Sequence, residues 1–315
     1  MNIHFENVDF RSRSGPNGFG LKLARSLHNS GHTITGGVAR SGIDVNLAFI
    51  QSANSFQPTV LRLDGIYFNA DQAWKSMNDP IRRSYEFVDS VVVQSEFNRE
   101  LTRRYFGDRD NVHVIHNGTD TSLIENIPTA EVGLSRENVW MCASTWRPHK
   151  RLHDNIKLFR ELSKPDDILL VAGALDVQYD VYPPLLDPRI KFLGDLTWEN
   201  LISCMKAAGK FVHLAWLDHC PNVVVDARAC GCHVYCSSTG GTEEIAGSSA
   251  TVLEEEVWNF EPIRLYDPPK IVGFDTLRRS NYESTPSIDI NSVAYQYLTV
   301  MNNVVLKGKP HNVSN

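Results

Sequence analysis

Two patterns of hydrophobic positions alternate along most of the chain. Short runs of Val, Ile, Leu and Ala, typical of fully buried strands, are followed by stretches whose apolar residues recur at helical spacing. The second half shows this best and predicts strands at 138–144, 167–173, 189–195, 210–217 and 232–238, with helices at 153–164, 198–208 and 222–231. Strands that alternate with helices favour a parallel sheet with helices on both faces.

The first half follows the same order less regularly. Its pattern predicts strands at 2–10, 45–51, 58–64, 90–96 and 112–118, with helices at 21–32 and 97–107. The glycine-rich stretch RSRSGPNGFG, at 11–20, is interpreted as the loop between the first strand and the first helix. The polar stretch from Asp120 to Asn138 is interpreted as a linker, and 287–306 as one long amphipathic helix.

These elements predict an α/β protein of two doubly wound, Rossmann-like domains that face each other across a cleft. A chain of 315 residues is long enough for two cores. We place the N-terminal domain at 1–125, the C-terminal domain at 126–280 and a helical C-terminal segment at 281–315.

Composition and charge narrow the function classes. The formal net charge of −6 argues against a nucleic-acid partner. No apolar run approaches the roughly 20 residues of a membrane-spanning helix. The first ten residues lack the layout of a signal peptide, so we expect a cytoplasmic protein. Its six cysteines match no common zinc-binding spacing, and we expect reduced, buried thiols and no metal.

Candidate chemistry lies in the turns after the strands, because open parallel sheets bind ligands at the carboxyl ends of their strands. The stretch DHCPNVVVDARACG carries two carboxylates, Asp218 and Asp226. Between them, Asn222 and Val223 begin a helix whose backbone N–H groups form an anion site. Each carboxylate alone also has an ordinary interpretation, Asp218 as a helix cap and Asp226 as a solvent-facing residue.

Two further turns fit a phosphate ligand. Gly241, Thr242 and Glu244 belong to a two-glycine turn that runs into a helix after the strand at 232–238. Arg147 and Lys150 follow the strand at 138–144 and suit a diphosphate. A plain turn and a solvated basic loop are the respective alternatives.

Several stretches of the chain, taken in their order, resemble those of the retaining glycosyltransferases of the GT-B fold, most closely those of family 4. The matching stretches are the glycine-rich loop, SVVVQSEF, VIHNGTD, TWRPHKR, IKFLGDL, DHCPNVVVDARACG and GGTEEI. The last two resemble the family's E-x7-E stretch and its GG-x-x-E turn. The resemblance spans nearly the whole chain and is most specific from 139 to 246.

The resemblance implies roles for the residues of the second domain. Arg147 and Lys150 would hold the diphosphate of a nucleoside-diphosphate sugar and offset the charge of the leaving group. Asp218 would bind hydroxyls of the transferred sugar with help from the backbone of Asn222 and Val223.

The resemblance also assigns the remaining donor contacts. Asp226 would bind the ribose of the nucleotide, and Gly241, Thr242 and Glu244 would form the donor-binding turn. Gly18 would approach the phosphates from the opposite domain, and the last helix would cross back onto the first domain.

Three features depart from the family pattern. Both carboxylates of the E-x7-E stretch are aspartates, each one methylene shorter than glutamate. The spacing from Arg147 to Lys150 is tighter than usual. The family's first-domain histidine has no clear counterpart, and the nearest candidate is Asp64, which either contacts the acceptor hydroxyl or the sugar, or caps a turn.

The resemblance implies a retaining, hexosyl-type transfer in glycan biosynthesis, without a metal or a separate cofactor. The donor would be of the UDP or GDP type, and the acceptor a glycan, a lipid-linked molecule or a protein. Two alternatives stay open, a sugar-nucleotide epimerase on the same fold and a degenerate, non-catalytic nucleotide-sugar-binding module.

First-domain arginines raise a separate question of peripheral membrane contact. The cluster comprises Arg82, Arg83, Arg99, Arg103 and Arg104. It forms either a basic face toward an anionic membrane or a polyanionic acceptor, or, with the interspersed glutamates, a solvated and salt-bridged helix surface.

Overall fold

The computed structural model describes residues 1–12, 14–38, 41–53, 58–174 and 187–308. The chain divides into two compact units. Unit 1 comprises Met1–Phe68, Gln72–Asp120 and Ser287–Asn315, and unit 2 comprises Asn69–Asp71 and Thr121–Pro286. The chain therefore leaves unit 1 near residue 120 and returns to it for its last helix.

Unit 1 is a parallel sheet with helices. Its strands are β1 (Asn2–Glu6), β2 (Thr33–Gly36), β3 (Val45–Phe49), β4 (Thr59–Leu63), β5 (Ser90–Val93) and β6 (Val112–Val114), in the order β2-β1-β3-β4-β5-β6. Its helices are α1 (Gly15–Asn29), α2 (Trp74–Phe87), α3 (Glu96–Phe106) and α9 (Ile290–Gly308). Every residue of β3, β4 and β5 is buried, which accounts for their continuous hydrophobic runs.

The last helix completes the core of unit 1. Ile290, Val293, Tyr297 and Met301 of α9 are buried in one cluster with residues of α1, β1, β3 and β4. Helix α9 therefore covers a face of the first sheet, although more than 160 residues separate it from β6 along the chain.

Unit 2 has the strand order of a Rossmann sheet. Its strands are β7 (Val139–Ala143), β8 (Ile168–Ala172), β9 (Ile190–Gly194), β10 (Lys210–His213), β11 (His233–Ser237), β12 (Thr251–Leu253) and β13 (Leu277–Arg279), in the order β13-β12-β11-β10-β7-β8-β9. Its helices are α4 (Thr121–Asn126), α5 (Leu152–Leu162), α6 (Trp198–Ala207), α7 (Asn222–Ala229) and α8 (Thr242–Ala246). Only β13 runs antiparallel to its neighbour among the described strands. The order reverses between β7 and β10, and such a switch point opens a crevice at the carboxyl ends of both strands.

Some local predictions were wrong. The glycine-rich stretch is not a loop throughout, because α1 already begins at Gly15 and the N–H of Gly18 donates to the O of Ser14 at 2.8 Å. Pro16 lies in the first helical turn, where its missing N–H costs nothing. The stretch interpreted as a linker contains α4.

The surface arginines of unit 1 pair with glutamates on the same helices. Arg82 Nε lies 2.9 Å from Glu86 Oε1, and Arg103 and Arg104 both donate to Glu100. The partners are about one helical turn apart and substantially exposed, so each pair contributes little stability. Among the described residues, no helix has the length and apolar character needed to cross a membrane.

One charged side chain lies at the centre of unit 1. Arg62 of β4 is fully buried and stacks over the Phe19 ring at 4.3 Å. Its Nε donates to the Tyr297 hydroxyl at 3.1 Å, its Nη2 donates to Asn117 Oδ1 at 2.8 Å, and its Nη1 pairs with Asp64. These contacts join β4, the segment after β6 and α9 around one guanidinium, as a buried charge requires.

Replacement of Tyr297 by Phe removes one of the acceptors that the buried Arg62 uses. We expect Tyr297→Phe to lower the free energy of unfolding by about 1–3 kcal/mol, measured by urea denaturation. Tyr295 is the matched control, because it lies on the same helix but is 72% exposed, and Tyr295→Phe should change stability by less than about 0.5 kcal/mol. Equal effects of the two variants would contradict this account of Arg62.

Candidate active site in unit 2

The candidate site begins at the switch point of the second sheet. The segment after β7 carries Arg147, which precedes a short 3-10 turn, Pro148–Lys150, and Lys150, which ends that turn. The segment after β10 carries Asp218. Because β7 and β10 are paired neighbours, their carboxyl ends bring these residues to the same crevice.

Asp218 accepts three hydrogen bonds. Its Oδ2 accepts from Lys150 Nζ at 2.5 Å and lies 3.0 Å from His213 Nε2, and its Oδ1 accepts from the backbone N–H of His219 at 3.0 Å. The side chains of Lys150 and Asp218 are only 19% and 15% exposed. The two residues predicted to contact different parts of a donor therefore form one ion pair at the edge of the crevice.

The surroundings keep the Asp218 carboxylate charged. Burial alone would raise the pKa of Asp218, but the Lys150 ammonium and the hydrogen bond from His213 outweigh burial and hold that pKa well below its usual value. Burial lowers the pKa of His213, only partly opposed by Asp218, so the ring is neutral near pH 7. Burial also lowers the pKa of His219 to about 4.

Helix α7 starts four residues after Asp218. Asn222 and Val223 are its first two residues, and a helix N-terminus presents backbone N–H groups without intrahelical acceptors. Asp226, one turn further on, is buried, and its Oδ2 accepts from Trp198 Nε1 at 3.0 Å. The carboxylate that follows the valine run thus has a protein partner, which the sequence did not predict.

The two-glycine turn packs against the backbone of Asp218. Gly240 has a φ of +86°, and a Cβ there would lie 2.5 Å from the O of Asp218. The N–H of Gly241 donates to that same oxygen at 2.7 Å. These glycines therefore let the turn approach Asp218 itself. Thr242 and Glu244, in the helix that follows, are buried.

Arg151 and Glu255 form a largely buried ion pair beside the site residues. Arg151, which the sequence groups with the basic loop, is 2% exposed and pairs with Glu255 at 2.7 Å. The other carboxylate oxygen of Glu255 accepts from Thr239 Oγ1 at 3.1 Å. Through Glu255, Arg151 therefore joins the segment after β7 to the turn after β11.

His149 and His213 are the site residues that sequence reasoning missed. His149 lies between Arg147 and Lys150, and its ring lies 5.3 Å from that of Tyr266. Burial and the nearby Lys150 lower its pKa to about 3. His213 was read only as part of a buried strand. The sequence does contain a signal, because His213 interrupts an apolar run and lies five residues before Asp218.

Gly18 and Asp64 lie in unit 1. A Cβ at Gly18 would meet no atom within 4 Å among the described residues, so local packing does not demand glycine there. Asp64 follows β4, where its Oδ1 accepts from Gln94 at 2.6 Å and pairs with Arg62. Its Oδ2 is buried and has no hydrogen-bond partner among the described residues.

Five of the six cysteines are buried. In the described part of the chain, no three His, Cys, Asp or Glu side chains are grouped so that they could hold a metal ion. All six cysteines are free thiols. Burial raises the pKa of Cys230 to about 12 and that of Cys232 to about 11, so these thiols are unreactive near neutral pH.

A cavity of about 560 Å³ lies elsewhere in unit 2. Arg136, Lys210, His233 and Tyr235 are among the residues that line it. It lies at the amino ends of β10 and β11, whereas ligands of such sheets bind at the carboxyl ends. The size of this cavity therefore does not make it the candidate site.

Two family models match adjoining parts of the sequence. The model of glycosyl transferases group 1 matches residues 125–257, and that of glycosyltransferase family 4 matches residues 28–123. The first range contains every unit 2 residue discussed above as a donor contact. No curated protein matches the sequence.

Solved structures share the fold over nearly the whole chain. HepE of Anabaena in complex with UDP has a TM-score of 0.64 at 14% identity, covering 98% of this chain and 99% of its own. Sucrose-phosphate synthase of Thermosynechococcus elongatus has a TM-score of 0.65 at 14% identity, covering 98% and 97%. AviGT4, a glycosyltransferase involved in avilamycin A biosynthesis, has a TM-score of 0.66 at 12% identity, covering 98% and 99%. With the family matches, these likenesses lead to one conclusion: the chain is a family-4-like glycosyltransferase of the GT-B fold.

Proposed function

We propose that this protein transfers a hexose-type sugar from a nucleoside-diphosphate sugar to an acceptor hydroxyl, with retention of configuration and without a metal. The observation that carries the proposal is the Lys150–Asp218 ion pair at the switch point of unit 2, next to the N-terminus of α7. A cation and a helix N-terminus at one crevice suit a diphosphate.

In the proposed reaction, the bond between the sugar C1 and the β-phosphate oxygen breaks, and the acceptor oxygen bonds to C1 on the same face. The proton of the acceptor hydroxyl goes to the departing diphosphate, so no strong base is needed. Arg147 and Lys150 offset the negative charge that develops on the leaving group. The Lys150 ammonium, which donates to Asp218 in this structure, turns toward the phosphate oxygens when the donor binds.

The remaining contacts follow the same proposal. The backbone of Asn222 and Val223 supports the sugar and the phosphates, and Asp226 binds the ribose through an oxygen of a carboxylate that Trp198 already orients. Thr242 is fully buried, and its Oγ1 has no hydrogen-bond partner among the described residues.

The proposed donor is of the UDP or GDP type. HepE of Anabaena was solved in complex with UDP and with UDP-glucose, which supports the UDP type first. The proposal is tested by incubating the protein with UDP-, GDP- and ADP-sugars, with and without acceptors, and following release of the free nucleoside diphosphate. Release from one donor supports it, and no release from any of them with any acceptor argues for a binding module. Inversion of the anomeric configuration in the product would disprove retention.

Lys150→Ala should lower kcat by roughly 10²–10³-fold, because it removes one preorganised charge at the leaving group. The measurement is steady-state release of nucleoside diphosphate from the donor that the screen identifies. Lys164→Ala is the matched control, since the Lys164 side chain is exposed. Normal turnover by Lys150→Ala would contradict the phosphate assignment.

Gly18→Ala should affect stability and activity in opposite directions. Alanine is favoured over glycine inside a helix, and a Cβ fits here, so the free energy of unfolding should rise by about 0.5–1 kcal/mol. If the backbone of Gly18 approaches the donor phosphates, kcat/KM should fall. Raised stability with unchanged kcat/KM would show that Gly18 is not part of the donor site.

A further inference from the structure

A buried histidine shares the key carboxylate oxygen with Lys150. His213 ends β10 and is 4% exposed, and its Nε2 lies 3.0 Å from Asp218 Oδ2. A carboxylate can only accept hydrogen bonds when ionised, so Nε2 carries the proton. Since Lys150 donates to the same Oδ2, both lone-pair sites of that oxygen are occupied.

We propose that His213 is a positioning residue, which keeps the Asp218 carboxylate hydrogen-bonded while the Lys150 ammonium turns toward the donor diphosphate. This inference rests on the function proposed above. It assigns no contact with the substrate to His213, which acts through Asp218.

The argument is the cost of a buried charge without partners. Asp218 is 15% exposed at its side chain, and removal of one partner from such a pair is strongly destabilising. Lys150 is 19% exposed and long, so a diphosphate can draw its ammonium away. His213 belongs to a paired strand and lies behind the carboxylate, so its hydrogen bond persists when Lys150 moves.

The same arrangement restricts what Asp218 can recognise. When Lys150 has turned toward the diphosphate, Oδ2 keeps only the hydrogen bond from His213 and Oδ1 only that from the N–H of His219. One lone-pair site then remains on each oxygen. Asp218 therefore accepts from at most two hydroxyls of the transferred sugar.

Two substitutions separate positioning from packing. His213→Phe keeps a ring of similar size but donates nothing, and kcat/KM should fall roughly 10- to 100-fold. His213→Gln places an N–H donor at a similar reach and should restore most of that loss. If His213 only fills space, Phe is tolerated and Gln is the more damaging change, and this result would overturn the inference.

Matched substitutions on the next strand control for a general effect of changing a histidine in this sheet. His233 lies on β11, where its Nε2 is 2.8 Å from Thr251 Oγ1, and its side chain is exposed. His233→Phe and His233→Gln should leave kcat/KM unchanged. A loss equal to that of His213→Phe would overturn the inference.

A double-mutant cycle gives a readout that needs no donor. We expect Lys150→Ala and His213→Phe together to raise the equilibrium constant for unfolding at least tenfold beyond the product of the single effects, because Asp218 then keeps a buried charge without either side-chain partner. The additional substitution Asp218→Asn should abolish this excess. Additive effects in a protein that turns over its donor would overturn the inference alone. Strong coupling in a protein that turns over no donor would overturn the proposed function and this inference with it.

Discussion

A carboxylate that lies largely out of water at the end of a strand must be surrounded by donors, and the candidate site of unit 2 is organised around this requirement. Asp218 receives an ammonium from the segment after β7, a ring N–H from β10 and a backbone N–H from its own turn. Its carbonyl oxygen accepts from Gly241. Three consecutive connections of the sheet are therefore fixed relative to one residue.

The strand order explains why this residue can serve such a purpose. Because β10 pairs with β7 and β11 on its two sides, the segments that follow all three strands emerge side by side. Glu255, which follows β12, pairs with Arg151 and accepts from Thr239, and it so joins the segments after β7 and β11. The crevice is thus rigid where charge must be preorganised, which is the condition under which electrostatic stabilisation of a leaving group is effective.

The sequence predicted the alternation of strands and helices in two doubly wound domains, because buried parallel strands leave a continuous hydrophobic signal. The GT-B fold followed from the resemblance to the family. It placed Lys150 and Asp218 at strand ends but could not predict that they pair, since 68 residues separate them. The hydrogen bond from Trp198 to Asp226 and the burial of Arg62 could not be predicted either, because the partners are distant along the chain. The sequence predicted a loop at Gly18 because several glycines together favour a loop. Pro16, which is typical of the first turn of a helix, marks the helix start instead.

The position of α9 has a consequence for how the chain is made. The core of unit 1 needs Ile290, Val293 and Tyr297, whereas its other elements end before residue 120. A ribosome therefore completes the whole of unit 2 while the apolar face of the first sheet still awaits its covering helix. Domains usually fold in the order of synthesis, but here the unit that begins the chain is the last that can finish folding. Any chaperone that binds the nascent protein would find its longest-lived apolar surface near the N-terminus.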